Sequence, residues 1–149
     1  MHTFLMDVHS LNRWLVLIAA LYALFVNGRG WFGRRSWAEQ ARRPGVIFTI
    51  LLDIQVVLGV ILYVIFSPIT TQGFANVMGN PASRFFIMEH SVMMLLAVIV
   101  AHVGGILIKR ARPESKFKRA FLFYGIAFLI ILAAIPWPFM PGYGRPWLF

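Results

Sequence analysis

Four long apolar stretches limit this chain more than any other feature. They run at about residues 11–26, 46–66, 85–108 and 119–137, and each approaches or exceeds the roughly 20 residues a helix needs to cross a hydrocarbon core. The expectation is an all-α polytopic membrane protein, an antiparallel four-transmembrane-helix bundle occupying residues 1–149 as a single domain. Composition supports it: 60% of residues are hydrophobic and 13% charged, against roughly 25% charged in an average soluble domain. A secretory signal fits the first stretch poorly, because Met1 to Ser10 has no basic leading region and NGRGWFGRR does not read as a small-residue cleavage site. The first helix is expected to be retained.

The formal net charge of +9 gains meaning from where the charges lie. Arg29, Arg34, Arg35, Arg42 and Arg43 separate the first two stretches, and Lys109, Arg110, Arg112, Lys116, Lys118 and Arg119 separate the last two. These five and six residues make up eleven of the fourteen basic side chains. The positive-inside rule then puts both loops in the cytoplasm, with both termini and the loop from Ser67 to Arg84 outside. Lipid is the expected surrounding. Nucleic acid is not an expected partner, since neither basic loop interleaves base-stacking aromatics in a folded module.

Local signals suggest where the helices end. Ser10 is a candidate cap for the first, and Asn27, Gly28 and Gly30 mark its far end. Trp31 and Trp37 suit an aromatic belt at the inner face, and Trp14 and Trp137 one at the outer face. Ser67-Pro68 closes the second stretch, and Pro136, Pro138 and Pro141 stop the fourth. The outer loop, SPITTQGFANVMGNPASR, reads equally as a short interfacial helix or as irregular chain.

Ionisable groups within spanning segments are expensive, and so they are the first candidates for a site. His9 and Arg13 near the outer end of the first helix share a level with Arg84, Glu89 and His90 near the outer end of the third. His9 and His90, from separate helices, have the donor chemistry to ligate one b-type haem edge-on between apolar walls. Arg13 and Arg84 could pair with its propionates through their planar donor forks. Glu89 could orient a histidine from behind. Hydration and hydrogen bonding between helices would equally account for this cluster, with no cofactor at all.

His102 lies twelve residues beyond His90, roughly 18 Å further along the same helix and about 120° around it. Asp53 on the second helix reaches a similar depth, so the two are expected to hydrogen-bond as a structural pair. No other histidine at that depth offers itself as a second ligand, which favours one haem over two. Copper held by His9 and His90 with Met6, Met88, Met93 or Met94 is a weaker reading, because Met88, Met93 and Met94 form no helical stripe with His90 and only Met94 stands at i+4 from it. Zinc hydrolysis lacks a His-Glu-x-x-His motif. The chain has no cysteine, which removes disulfides, iron–sulfur clusters, thiolate-ligated haem and covalent haem attachment.

HSLNRW at residues 9–14, DIQVVLGVILY at 53–63, RFFIMEH at 84–90, AHVG at 101–104 and IPWPF at 135–139 sample all four spans. In these patches the chain resembles a family of small bacterial four-helix integral membrane proteins labelled cytochrome b-like or, more neutrally, simply membrane protein. A more distant likeness is to membrane proteins that use histidines in haem-binding or copper-resistance contexts. The resemblance implies His9 and His90 first as ligands, then His102. Two functions are therefore expected in competition. One is an electron carrier that meets a quinone or redox partner; the other is an accessory subunit of a larger respiratory or photosynthetic membrane complex. Neither is a stand-alone enzyme.

Overall fold

The computed structural model describes residues 1–66 and 73–147. Its described elements are helices α1 (His2–Phe32), α2 (Arg43–Phe66), α3 (Phe74–Gly79), α4 (Pro81–Lys109) and α5 (Pro113–Ala134), and a short 3₁₀ turn, Glu39–Arg42, leads into α2. Four of the helices are long and apolar enough to cross a membrane. The expected end of the second span at Ser67-Pro68 lies outside the described residues.

Helix α1 is longer at both ends than its apolar core suggested. Ser10 therefore sits within the helix, and the N-terminal capping position falls to Met1, with no side-chain cap bond. Polar residues do not end a helix when no glycine or proline interrupts them, and residues 2–10 contain neither. Gly28 and Gly30 do not end it either. A Cβ on Gly30 would come within 2.3 Å of the Phe117 ring, so this position lets α5 approach rather than breaking α1. Gly45 at the start of α2 plays the same part for Tyr124, whose ring and hydroxyl lie 2.5 Å from where a Cβ would stand.

In the loop between the second and third apolar stretches, residues 74–79 are helical. The next helix starts at Pro81, before the apolar run begins, because Asn80 caps it: its Oδ1 accepts from Ser83 N at 3.0 Å. Four residues later α4 widens into a π-type turn over Phe85–His90, and Ser91 Oγ donates across it to Phe86 O at 2.8 Å. After α5 the proline-rich tail turns back on itself, with Arg145 N bonded to Pro136 O.

Small side chains draw the helices together. Ala20, Ala23, Ala97, Ala101 and Ala127 are fully buried, with Val16, Phe48, Leu52 and Ile131 filling the space between them. Helix α5 packs on both α1 and α4, and α1 packs on α2, whereas α2 and α4 touch only lightly. The contacts between α1 and α2 run in opposite order along the two helices: His2 meets Phe66, His9 faces Gly59, and Asn12 bonds to Leu51 and Gln55. The two basic loops meet at one end of the bundle, where Trp37, Arg42, Lys109 and Lys116 line one cleft.

Candidate functional site

The thin seam between α2 and α4 opens, at the end away from the basic loops, into a cleft of about 700 Å³ walled by α1, α2, α4 and the tail. His9 and His90 both line it, with ring centroids 6.3 Å apart and planes at 68°.

His90 is set by its surroundings. Its Nδ1 is 2.8 Å from Ala134 O at the end of α5. That carbonyl is free because the residue whose N–H would continue the ladder to it is Pro138, which has none. A carbonyl only accepts, so His90 Nδ1 carries the hydrogen and donates. The neutral ring is left with a lone pair on Nε2. Phe85 and Phe86 flank the imidazole at 6.1 and 6.2 Å between centroids, and Phe85 is stacked in turn on Tyr143 of the tail at 4.1 Å.

His9 is held through its backbone. Gln55 Nε2 donates to His9 O at 3.0 Å, and Asn12 Nδ2 donates to Gln55 Oε1 at 2.7 Å and to Leu51 O at 3.0 Å. Asn12 and Gln55 are both buried, so this amide pair is the polar clamp between α1 and α2. The His9 ring is less committed: its Nδ1 is buried with no hydrogen-bond partner. Its Cε1 lies 3.4 Å from where a side chain on Gly59 would begin, so the missing side chain there keeps the ring edge uncovered.

Of the arginines, Arg13 lines the cleft while Nη2 donates to Trp147 O at 2.7 Å; its Nε is buried without a partner. Trp14 Nε1 donates to the same carbonyl at 2.8 Å, so two neighbouring residues of α1 hold the tail over the cleft. Arg84 does not line the cleft. It pairs through Nε with Glu89 Oε1 at 3.0 Å, with both side chains substantially exposed. Glu89 is thus engaged with Arg84 rather than with an imidazole, and its Oε2 is buried without a partner. Arg145, which sequence reasoning passed over, does line the cleft and sits 5.1 Å over the Phe86 ring. No local pattern marks it. Only the fold-back of the tail brings it there.

Deeper in the bundle, the expected bond between Asp53 and His102 is present: Oδ1 and Nε2 are 2.7 Å apart. Both side chains are about half exposed, at 47% and 48%, so the pair lies on the outside of the α2–α4 seam rather than in the core. Met6 and Met94 line the cleft of His9 and His90, whereas Met88 and Met93 do not. Among the described residues, no three or more His, Cys, Asp or Glu side chains converge as a metal site. No family model matches the chain, and neither a curated protein nor a solved structure matches it.

Proposed function

We propose that this protein is a b-type haem-binding membrane electron carrier, with His9 and His90 as the residues that would hold one haem. The observation that carries the reading is the pairing of these two rings from different helices, 6.3 Å apart across an open cleft. The donor set also fits: His90 keeps a lone pair on Nε2 because Nδ1 is bonded to Ala134, and His9 holds an unsatisfied buried nitrogen. The cleft, about 700 Å³, is within the range of roughly 300–1,000 Å³ usual for cofactor sites.

Bound there, haem would supply a one-electron iron couple whose potential follows its ligands and burial. The chain's own residues do the rest. Phe85 and Phe86 keep water from the His90 side, and Ala134 fixes its tautomer. Arg13 and Arg145 offer guanidinium groups to propionates, taking the role first expected of Arg13 and Arg84. Electrons would pass to or from a quinone or a redox partner, in a bacterial cytoplasmic membrane with both termini outside.

Reduced-minus-oxidised absorption spectra of the purified protein test this. A sharpened, red-shifted low-spin signature with haem near one per chain is expected, and H9A and H90A should each abolish it. Unchanged spectra in both variants would end the ligand assignment. A second reading, an accessory subunit of a larger respiratory or photosynthetic complex, is favoured by one feature: the half-exposed Asp53–His102 pair leaves polar groups facing out of the bundle mid-span. A colourless protein that purifies with stable membrane partners would select that reading.

A further inference from the structure

The basic end of the bundle has a second cleft, of about 350 Å³, between α2, α4 and α5. Trp37, Arg42, His102, Lys109, Lys116 and Tyr124 give it its polar character. Glu39 is the one carboxylate in its lining and is committed to Arg42 at 3.3 Å. Lys116 sits 5.6 Å over the Trp37 ring, and neither it nor Lys109 has an acidic partner among the described residues.

Two neutral donors are equally uncommitted. Trp37 Nε1 is buried without a hydrogen-bond partner. Tyr124 is a buried residue that reaches the cleft, and among the described residues its hydroxyl has none either. An indole N–H can only donate, so what completes this site must accept. Beyond the cationic rim the wall is apolar, with Val46, Ala101 and Ile106, and a Cβ at Gly105 would meet nothing within 4 Å. The flank continues along α2 and α4, of whose apolar windows only 22% is buried, against 44% for α1.

We propose that this cleft binds an anionic phospholipid, its phosphate among Arg42, Lys109, Lys116 and the Trp37 N–H, its acyl chains along the exposed seam of α2 and α4. Phosphate oxygens are acceptors that carry charge, so they answer both the unpaired cations and the unpaired donors. A quinone carbonyl would engage Trp37 and Tyr124 but leave both lysines uncompensated. The apolar flank adjoining the rim suits a headgroup with chains better than a free phosphate. The proposal is independent of the haem reading, since the two clefts share no lining residue.

The test is native mass spectrometry of the full detergent-purified chain with phosphatidylglycerol, with phosphatidylcholine and with inorganic phosphate. Phosphatidylglycerol should be retained at least tenfold better than phosphatidylcholine. K109Q/K116Q should weaken its retention by roughly tenfold or more, the scale expected of two basic residues at an anionic surface. R110Q/R112Q, which removes the same charge from the same end of the bundle outside the cleft, should stay within about twofold of the parent. W37F keeps an aromatic ring beneath Lys116 but removes the indole N–H, so a several-fold loss there carries the proposal if the double lysine variant fails to fold. Equal losses in the two double variants, displacement of the lipid by millimolar inorganic phosphate, or preferential binding of a short-chain quinone would each overturn it.

Discussion

The two ends of the bundle use histidine in opposite ways. At the cleft away from the basic loops, His90 spends one nitrogen on a backbone carbonyl and His9 spends neither on any described partner, so both rings keep ligating capacity inside a walled space. Deeper along the seam, His102 spends Nε2 on Asp53, and the pair stands half exposed on the surface. A neutral ring aimed at another ring has the makings of a site. A ring closed onto a carboxylate is a clasp between helices. The difference lies in the neighbours, since the residue type is the same.

The sharpest way to break this comparison is to ask whether the ends lie on opposite sides of the membrane. The chain has no native cysteine, so single cysteines at Ser36, Ser115 and Ser83 can be labelled one at a time in intact cells. An impermeant thiol reagent should modify the one at Ser83 and spare those in the basic loops. Strong external labelling at Ser36 and Ser115 in folded protein would reverse the orientation.

Next in size is the contrast among histidines. H9A or H90A should lower haem per chain by at least tenfold while membrane insertion persists, whereas H102A should leave the low-spin spectrum intact. If H102A alone bleaches the protein, the assignment of roles to the two ends fails. Arginine draws the same line more finely. R13Q and R145Q should each speed haem loss by about tenfold, as expected for losing one charge-assisted hydrogen bond, while R84Q, tied to Glu89 outside the cleft, should behave as the parent. Haem transfer to an apo-globin acceptor measures it.

The smallest effect belongs to the clasp. Side-chain hydrogen bonds between membrane helices are worth on average roughly 0.6 kcal/mol, and the exposure of both partners keeps Asp53–His102 near that value. D53A should lower the thermal midpoint slightly, and D53N less, because the amide retains a bond to the ring. A D53A loss several times larger would mean that the pair is buried against a partner chain, and would move the balance toward the accessory-subunit reading.

Some of this was legible beforehand and some was not, for reasons that particular residues make clear. The depth match of Asp53 and His102 follows from rise per residue, and it led to a bond that exists. The same arithmetic put Arg84 beside His90, yet Arg84 turned to Glu89 five positions along the chain and away from the cleft. Gly28 and Gly30 read as a helix end because glycine is a poor helix former in isolation; the rings of Phe121 and Phe117, far away in sequence, use them as points of close approach.

Hydropathy summed over a span and the clustering of basic residues between spans are properties of residue order. Order alone therefore determined that this chain forms four apolar helices with its basic charge gathered around two of the connections between them. Side-chain partnership depends on helix rotation, which changes by about 100° with every residue, and on where a tail returns. Tertiary structure alone decided that Asn12 and Gln55 clamp α1 to α2, and that Arg145 reaches the cleft. The physical reason is that each of these contacts joins segments tens of residues apart, through packing that no local pattern encodes.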